Sequence, residues 1–384
     1  MKKIVVIGAN DFQNQLILKA KARGFETHVF AWECGDVGEK TADHFYPISI
    51  VEKEAILEEC RKIQPDGVVS IASDLASLTV NYVAEELGLT GNGMQSALIS
   101  TNKHLMRHAF EENGLPSPKS IQVEADGEWD LSGFSWPVIV KPTDRSGSRG
   151  IFLIKSPDQL REAVQSACEE SFEKKALIEE FAGGEEFSVE YVSFAGEHHF
   201  LTVTRKFTTG APRFIEIGHL EPSGLSEEMI RRIQEIVPRA LDALGIRYGA
   251  SHSELKIDRE GKIRLIEIGG RMGGDCIGSD LVYLSTGFDF VNAVIDIACG
   301  NPPSLAPTGP AGHAAVRFLF SQKDLENLEW VKKHHGDVIY RISDIERIDD
   351  RVIKDSSTRY GYYLMRSEDR SLIEEIMERI NEEG

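Results

Sequence analysis

Residues 249–275 read GASHSELKIDREGKIRLIEIGGRMGGD. His252–Ile257 and the start of Lys262–Ile268 alternate polar and apolar side chains, the period of a half-buried strand. Arg259-Glu260-Gly261 between them has turn chemistry. The segment therefore predicts a β-hairpin. Pairing its strands about that turn sets Glu254 against Glu267, each among Leu and Ile. A carboxylate in such surroundings is costly to bury unless it is paired or metal-bound. Two facing carboxylates suggest a divalent cation. Arg271 follows Glu267 by four residues on a glycine-rich exit, which suits an anionic substrate beside the metal. Taken alone, the segment also reads as an ordinary hairpin with two surface carboxylates.

The rest of the chain bounds the answer. Its 384 residues are enough for two or three domains. Hydrophobic residues at 41% and charged residues at 27% are ordinary for a globular protein. The net charge of −19 argues against a nucleic-acid or anionic-membrane surface. A phosphate site must then be built locally from a few Lys and Arg. The five cysteines are scattered without metal-ligand spacing, which fits a reduced, cytoplasmic setting. The start, MKKIVVIGAN, makes a poor signal peptide, and no apolar run approaches the ~18 residues of a membrane span.

Patterning predicts a βαβ rhythm over the first 92 residues. Strands are expected at 3–8, 26–30 and 67–71, with helices at 12–23, 52–63 and 74–87. This is a parallel sheet with helices on its faces. A helix is expected at 102–114. Strands at 136–141 and 150–155 flank the polar loop 142–149. Ser156 is the expected N-cap of a helix to about 172. Strands at 176–181 and 187–194 follow, then a helix over 226–244. After the hairpin come helix through 298, a Pro- and Gly-rich linker over 300–310, and strands with a charged C-terminal helix.

Several stretches carry further chemistry. Lys141 ends a strand and enters PTDRSGSRG, whose backbone N–H groups and hydroxyls can face phosphate oxygens. It is no Walker loop, since it lacks GK[ST] and a following helix. A flexible hairpin loop is the plainer alternative. Lys103 opens a helix, against the helix dipole, and is either a phosphate contact or a solvated lysine. ALIEEFAGGEEF, residues 176–187, leads a strand into a turn where backbone groups can read an adenine edge. Glu186 beyond it can hold ribose hydroxyls. Gly8-Ala9-Asn10-Asp11-Phe12 lacks the later glycines of a dinucleotide fingerprint, so no NAD site is expected there.

The order of these features, Lys103, Lys141 with its loop, the strand-turn-Glu, then two Glu and Arg271, resembles the ATP-grasp superfamily, in its carboxylate–amine and amino-acid ligase branch. The resemblance implies a Rossmann-like pre-ATP-grasp domain at 1–95, ATP-grasp lobes at 96–183 and 184–300, and a C-terminal lobe at 301–384, mixing α/β and α+β. It implies ATP and Mg²⁺, with Mn²⁺ as an alternative ion. Lys103 and Lys141 would contact phosphates, under a loop containing Ser146, Gly147, Ser148 and Gly150. Glu179, Glu180 and Phe181 would line the adenine, mainly through backbone, and Glu186 the ribose. Glu254 and Glu267 would bind the metal. Arg271 would clamp the transferred phosphate or the substrate carboxylate. Many members carry Asn two residues after the second metal Glu; here that position is Gly269, one ligand fewer.

The implied reaction passes the γ-phosphoryl group to a small carboxylate and joins the acyl phosphate to an amine. Those two small molecules are the expected partners, with no nucleic acid or membrane, and a homodimer is among the admissible assemblies. Residues 205–221, RKFTTGAPRFIEIGHLE, resemble a substrate-side segment. Glu216 is a candidate for an ammonium, His219 for the amine, and His252 and Asp275 for the site's surroundings. Each also reads as an ordinary loop carboxylate or structural histidine. The alternatives are a purine-pathway member acting on a phosphoribosyl substrate and a nucleotide-binding regulator without turnover. A biotin carboxylase role fits less well because of Gly269.

Overall fold

The structure is a computed structural model that describes residues 1–382 except 148, 212, 350–352 and 354. Three sheets follow one another along the chain. The first is parallel, in the order β3-β2-β1-β4, from β1 (Lys3–Ile7), β2 (Glu26–Phe30), β3 (His44–Tyr46) and β4 (Gly67–Val69). Its helices are α1 (Asp11–Ala22), α2 (Val37–Thr41), α3 (Lys53–Ile63) and α4 (Asp74–Leu87). Asn10 caps α1 by accepting from the Phe12 and Gln13 N–H groups. Those amides at the start of α1 are therefore engaged by the Asn10 side chain. Ser73 caps α4, so that Asp74 begins the helix at the carboxyl end of the sheet.

Asn102 then serves two helices. It ends α5 (Gly93–Thr101) and caps α6 (Lys103–Glu112), accepting from the His104 and Leu105 N–H groups. This places Lys103 in the first turn, as predicted. The second sheet, β5-β8-β6-β7, is antiparallel: β5 (Ser120–Val123), β6 (Val138–Pro142), β7 (Phe152–Ile154) and β8 (Ala176–Glu180). α7 (Leu160–Glu170) packs on it. Ser156 does not cap α7 as expected. A 3₁₀ turn over Pro157–Gln159 intervenes, and the Ser156 side chain makes no capping bond.

The third sheet is antiparallel, in the order β13-β12-β9-β10-β11-β14-β16-β15. Its strands are β9 (Glu185–Phe194), β10 (Glu197–Thr208), β11 (Glu216–Glu221), β12 (Gly249–Ile257), β13 (Ile263–Gly269), β14 (His313–Leu319), β15 (Ile339–Ile342) and β16 (Gly361–Ser367). α8 (Glu227–Ala243) is capped by Ser226 and buries Ile233, Val237, Ala240 and Leu241 against the hairpin residues Leu255, Leu265 and Ile268. Each fully buried Ile, Val or Leu side chain among these contributes about 1.5–3 kcal/mol. α9 (Val282–Thr286) follows the hairpin. α10 (Phe290–Ala298) turns back to the first sheet and shares a core with Ile4, Val6, Leu16 and Ile17. α11 (Gln322–His335) and α12 (Arg370–Glu382) cover the far end of the third sheet. Because β14 pairs with β11, this sheet runs unbroken past residue 300. No described helix is long and apolar enough to cross a membrane.

Candidate functional site

The hairpin forms with the predicted register. Glu254 on β12 is the cross-strand partner of Glu267 on β13, and a bulge follows Glu254. Glu254 Oε1 accepts from Lys206 Nζ at 2.6 Å and lies 3.4 Å from His252 Nε2. Glu267 Oε1 accepts from Lys103 Nζ at 3.0 Å. These contacts all fall on Oε1. The Oε2 atoms of both residues are the hard oxygens a divalent cation would take, so the pair fits such an ion. Burial disfavours the charge on Glu254, but Lys206 and His252 overcome it and hold the carboxyl well below its ordinary range.

Lys206 is the hub of the site and was not singled out from the sequence. Its side chain is 1% exposed. Glu254 and Glu216 lie 2.6 Å from Nζ, and Glu186 lies 3.1 Å away. Burial lowers its basicity, but the three carboxylates hold it well above the ordinary lysine value. β10 pairs Lys206 with Glu186 on β9 and with His219 on β11, which brings the expected ribose residue beside the expected substrate residues. The signal that would have found Lys206 is this register.

Lys141 sits at the end of β6, buried, with Nζ 2.5 Å from Glu179 Oε1. Arg107 approaches the other oxygen, at 2.9 Å from Nη2 and 3.2 Å from Nε. Arg107 was also missed, although it stands four residues after Lys103 on α6 and therefore shares its face. Burial opposes the charge on Glu179, but Lys141 and Arg107 keep the carboxyl ionised and lowered. The Glu179 side chain is thus a counter-charge. The backbone role expected for this linker is narrowed too: the Glu180 and Phe181 N–H groups are given to Lys119 O and Pro137 O. The Glu180 carboxylate turns away and accepts from the Ser135 N–H. Phe181 does face the cavity, and Lys256 lies 5.5 Å from both its ring and that of Phe214.

The first and last segments of the chain complete the site. Asp74 at the start of α4 takes Arg271 in a fork, at 2.7 and 3.1 Å. Burial opposes the Asp74 charge, and Arg271 overcomes it and lowers the pKa. His252 is bonded through Nδ1 to the fully buried Glu190, which also accepts from the Gly273 N–H at 3.1 Å. Burial would lower the His252 pKa, but Glu190 and Glu254 raise it to about 9. Arg359, from the segment before β16, forks onto Asp275 at 2.6 Å on both nitrogens and lies 3.6 Å from Glu216. His219 is fully buried 3.7 Å from Asp275, and among the described residues neither ring nitrogen makes a hydrogen bond. Asp74, Arg107 and Arg359 carry no local motif, which is why sequence reasoning passed over them.

Most of these groups line one cavity of about 430 Å³ between the second and third sheets and the start of α4, with Arg107, Glu190 and Arg359 behind its walls as partners of lining residues. Ser146 and Gly147 line it, together with Arg145 and Arg149, while Gly150 packs against Pro142. Ser148 lies outside the described residues. Lys103, Lys141, Arg145, Arg149 and Arg271 gather cations in one region of the cavity wall, each beside a carboxylate partner. Phe181, Phe214, Ile139 and Ile266 form an apolar slot nearby. Glu216, Asp275 and the buried His219 form an acidic end on the far side of Lys206. A nucleotide's base, phosphates and a second small ligand have matching chemistry here.

Residues 134–280 match the family model described as an ATP-grasp domain. The chain is 26% identical over 282 residues to the alanine–anticapsin ligase of Bacillus subtilis (strain 168), covering 67% of this chain and 60% of the relative. It is 27% identical over 194 residues to the D-alanine–D-alanine ligase of Chromohalobacter salexigens, covering 48% and 60%. The chain thus spans 60% of the length of these curated relatives. Among solved structures, an L-amino acid ligase from Bacillus licheniformis superposes with a TM-score of 0.82 at 24% identity, covering 100% and 98% of the two chains. A phosphoribosylglycinamide synthetase from Anaerococcus prevotii gives 0.78 at 18%, with the same coverage. At these identities the superpositions establish the fold.

Proposed function

We propose, from the match of residues 134–280 to the ATP-grasp domain model, that the chain is an ATP- and Mg²⁺-dependent ligase joining a small carboxylate, an amino acid, to an amine. The observation that carries this reading is the facing pair Glu254 and Glu267, whose hydrogen bonds among the described residues all fall on one oxygen each, beside the cations Lys103, Lys141 and Arg271. Glu254 and Glu267 would hold the metal, which when bound neutralises phosphate charge. Gly269 adds no ligand, and its place is next to the Asp74–Arg271 pair.

In this reading Lys103, Lys141 and the Ser146–Gly147 turn hold the phosphates. Phe181 and Phe214 flank the base, and Glu186 takes the ribose. A substrate carboxylate oxygen attacks the γ-phosphorus, and the bond to the β-phosphate oxygen breaks with release of ADP. Arg271, steadied by Asp74, orients the carboxylate and then the acyl phosphate. The amine attacks the acyl carbon, inorganic phosphate leaves, and the amine sheds a proton. Glu216 and Asp275 recognise the ammonium of a substrate, with His219 beside them. The family's curated relatives act on amino acids by name, which supports this substrate class. A phosphoribosyl substrate is disfavoured, because the loop before α1 has its amides occupied by Asn10.

The test is phosphate release across a matrix of amino acids and amines with Mg-ATP. At least one pair is expected to drive turnover, and Glu267→Gln to abolish it while ATP still binds. No turnover with any pair, or full activity in Glu267→Gln, would remove the reading.

A further inference from the structure

A second set of metal-ligating side chains lies on the first sheet, away from the cavity. Glu26 and His28 stand two apart on β2 and so share a face. His44 on β3 is the cross-strand partner of His28 and joins them. Glu26 Oε1 lies 3.0 Å from His44 Nε2 and 3.3 Å from His28 Nε2. One ligand atom from each residue falls within 4.8 Å of the others. Donors around a tetrahedral ion, with bonds of about 2.0–2.1 Å, stand roughly 3.3 Å apart. Two of the three separations already have that length.

His28 supplies an independent observation. It is 4% exposed, and its Nε2 is buried, with Glu26 Oε1 at 3.3 Å but not aligned for a hydrogen bond. Its Nδ1 lies 3.0 Å from Tyr46 Oη. An Nδ1–H given to that hydroxyl leaves the lone pair on Nε2, toward Glu26. Ligating histidines ordinarily anchor their second nitrogen in this way. The His28 and His44 rings stack at 4.6 Å with 17° between planes. Both lone pairs reach one ion only when the His44 ring turns, and that side chain is half-exposed.

We propose that Glu26, His28 and His44 bind a divalent transition-metal ion of the zinc class, with water completing the coordination. Two imidazoles and one carboxylate favour such an ion over Mg²⁺, which takes oxygen ligands. The ion cross-links the three-residue edge strand β3 to β2. The site is separate from the ATP-grasp cavity and does not depend on the proposed reaction.

Co²⁺ serves as the probe, titrated into the metal-stripped full chain with excess Mg²⁺ present. The expected result is a visible absorption band that saturates at a single equivalent and is displaced by Zn²⁺. Affinity should fall at least tenfold in His44→Ala and in Glu26→Gln, and persist in Glu254→Gln. Both substituted residues at the site are partly exposed, and circular dichroism verifies that the variants fold. Absence of the band overturns the proposal. So does an unchanged titration in the two variants, or a band lost in Glu254→Gln but kept in His44→Ala.

Discussion

At the scale of single residues, the site is a set of charges that neutralise one another before any ligand arrives. Glu179 sits buried between Lys141 and Arg107. Removing one partner of a buried pair leaves charge that the interior solvates badly. Lys141→Ala should therefore lose both nucleotide affinity and stability. The stability loss should be about 3 kcal/mol, at the low end for buried pairs because Arg107 remains. Chemical denaturation without nucleotide and a separate ATP titration check the two effects. An unchanged unfolding midpoint would mean that Glu179 is relieved by water, and an unchanged ATP affinity would take Lys141 out of the phosphate region. Residues of this kind divide sharply in how legible they are. Glu254 and Glu267 were readable because one short turn sets their register. The Asp74–Arg271 pair spans 197 residues and the Asp275–Arg359 pair 84. No local pattern encodes such pairings, since the fold alone brings them together.

At the scale of elements, β11 carries a carboxylate that the proposed reaction does not use. Glu221 is fully buried, with Thr204 Oγ1 at 2.6 Å and Ser285 Oγ at 2.9 Å. Burial raises its pKa from an ordinary 4.5 to about 8, and the two hydroxyls only partly counter that. The folded chain therefore binds this proton more tightly than the unfolded chain. The associated stability is fully present below pH ~4.5 and is lost as pH rises through about 8. Glu221→Gln keeps the shape and removes the titration. Its stability relative to the parent should rise by up to a few kcal/mol between pH 5 and pH 8. Denaturant midpoints measured at several pH values check this, and a constant difference across that window would contradict it. Element recognition followed the same logic as residue recognition. The first sheet's long-period helices and apolar strands were predictable. The five-residue α2, the three-residue β3 and the helix α5 were not, because short or weakly amphipathic segments take their conformation from what they pack against.

At the scale of the molecule, three sheets and the C-terminal segment converge on one cavity, and the loop after β6 is its most peripheral wall. The order of domains was readable because βαβ rhythm, loop and hairpin each leave a pattern. The continuity of the third sheet from β11 into β14 was not, because the Pro-rich linker between them looks like a boundary. The loop after β6 contains Arg145, whose carbonyl accepts from Lys103 Nζ at 2.7 Å, and the more exposed Arg149. Trypsin cuts such a segment only after it opens locally. A nucleotide held by the loop must be released for that opening, so binding raises its free energy. At a ligand concentration of about 100 times Kd the increment is ~2.7 kcal/mol, or roughly a hundredfold in the open population. An ATP analogue with nitrogen bridging the β- and γ-phosphorus, supplied with Mg²⁺, should slow the appearance of the fragment beginning at Gly150 by one to two orders of magnitude. Mass spectrometry of timed digests measures it. The protection should require Mg²⁺ and weaken in Lys103→Ala, because in the proposed reading both hold the phosphates and the loop folds against them. Cleavage at an unchanged rate under saturating analogue would show that the loop does not cover the nucleotide, and the phosphate assignment of Ser146 and Gly147 would fall with it.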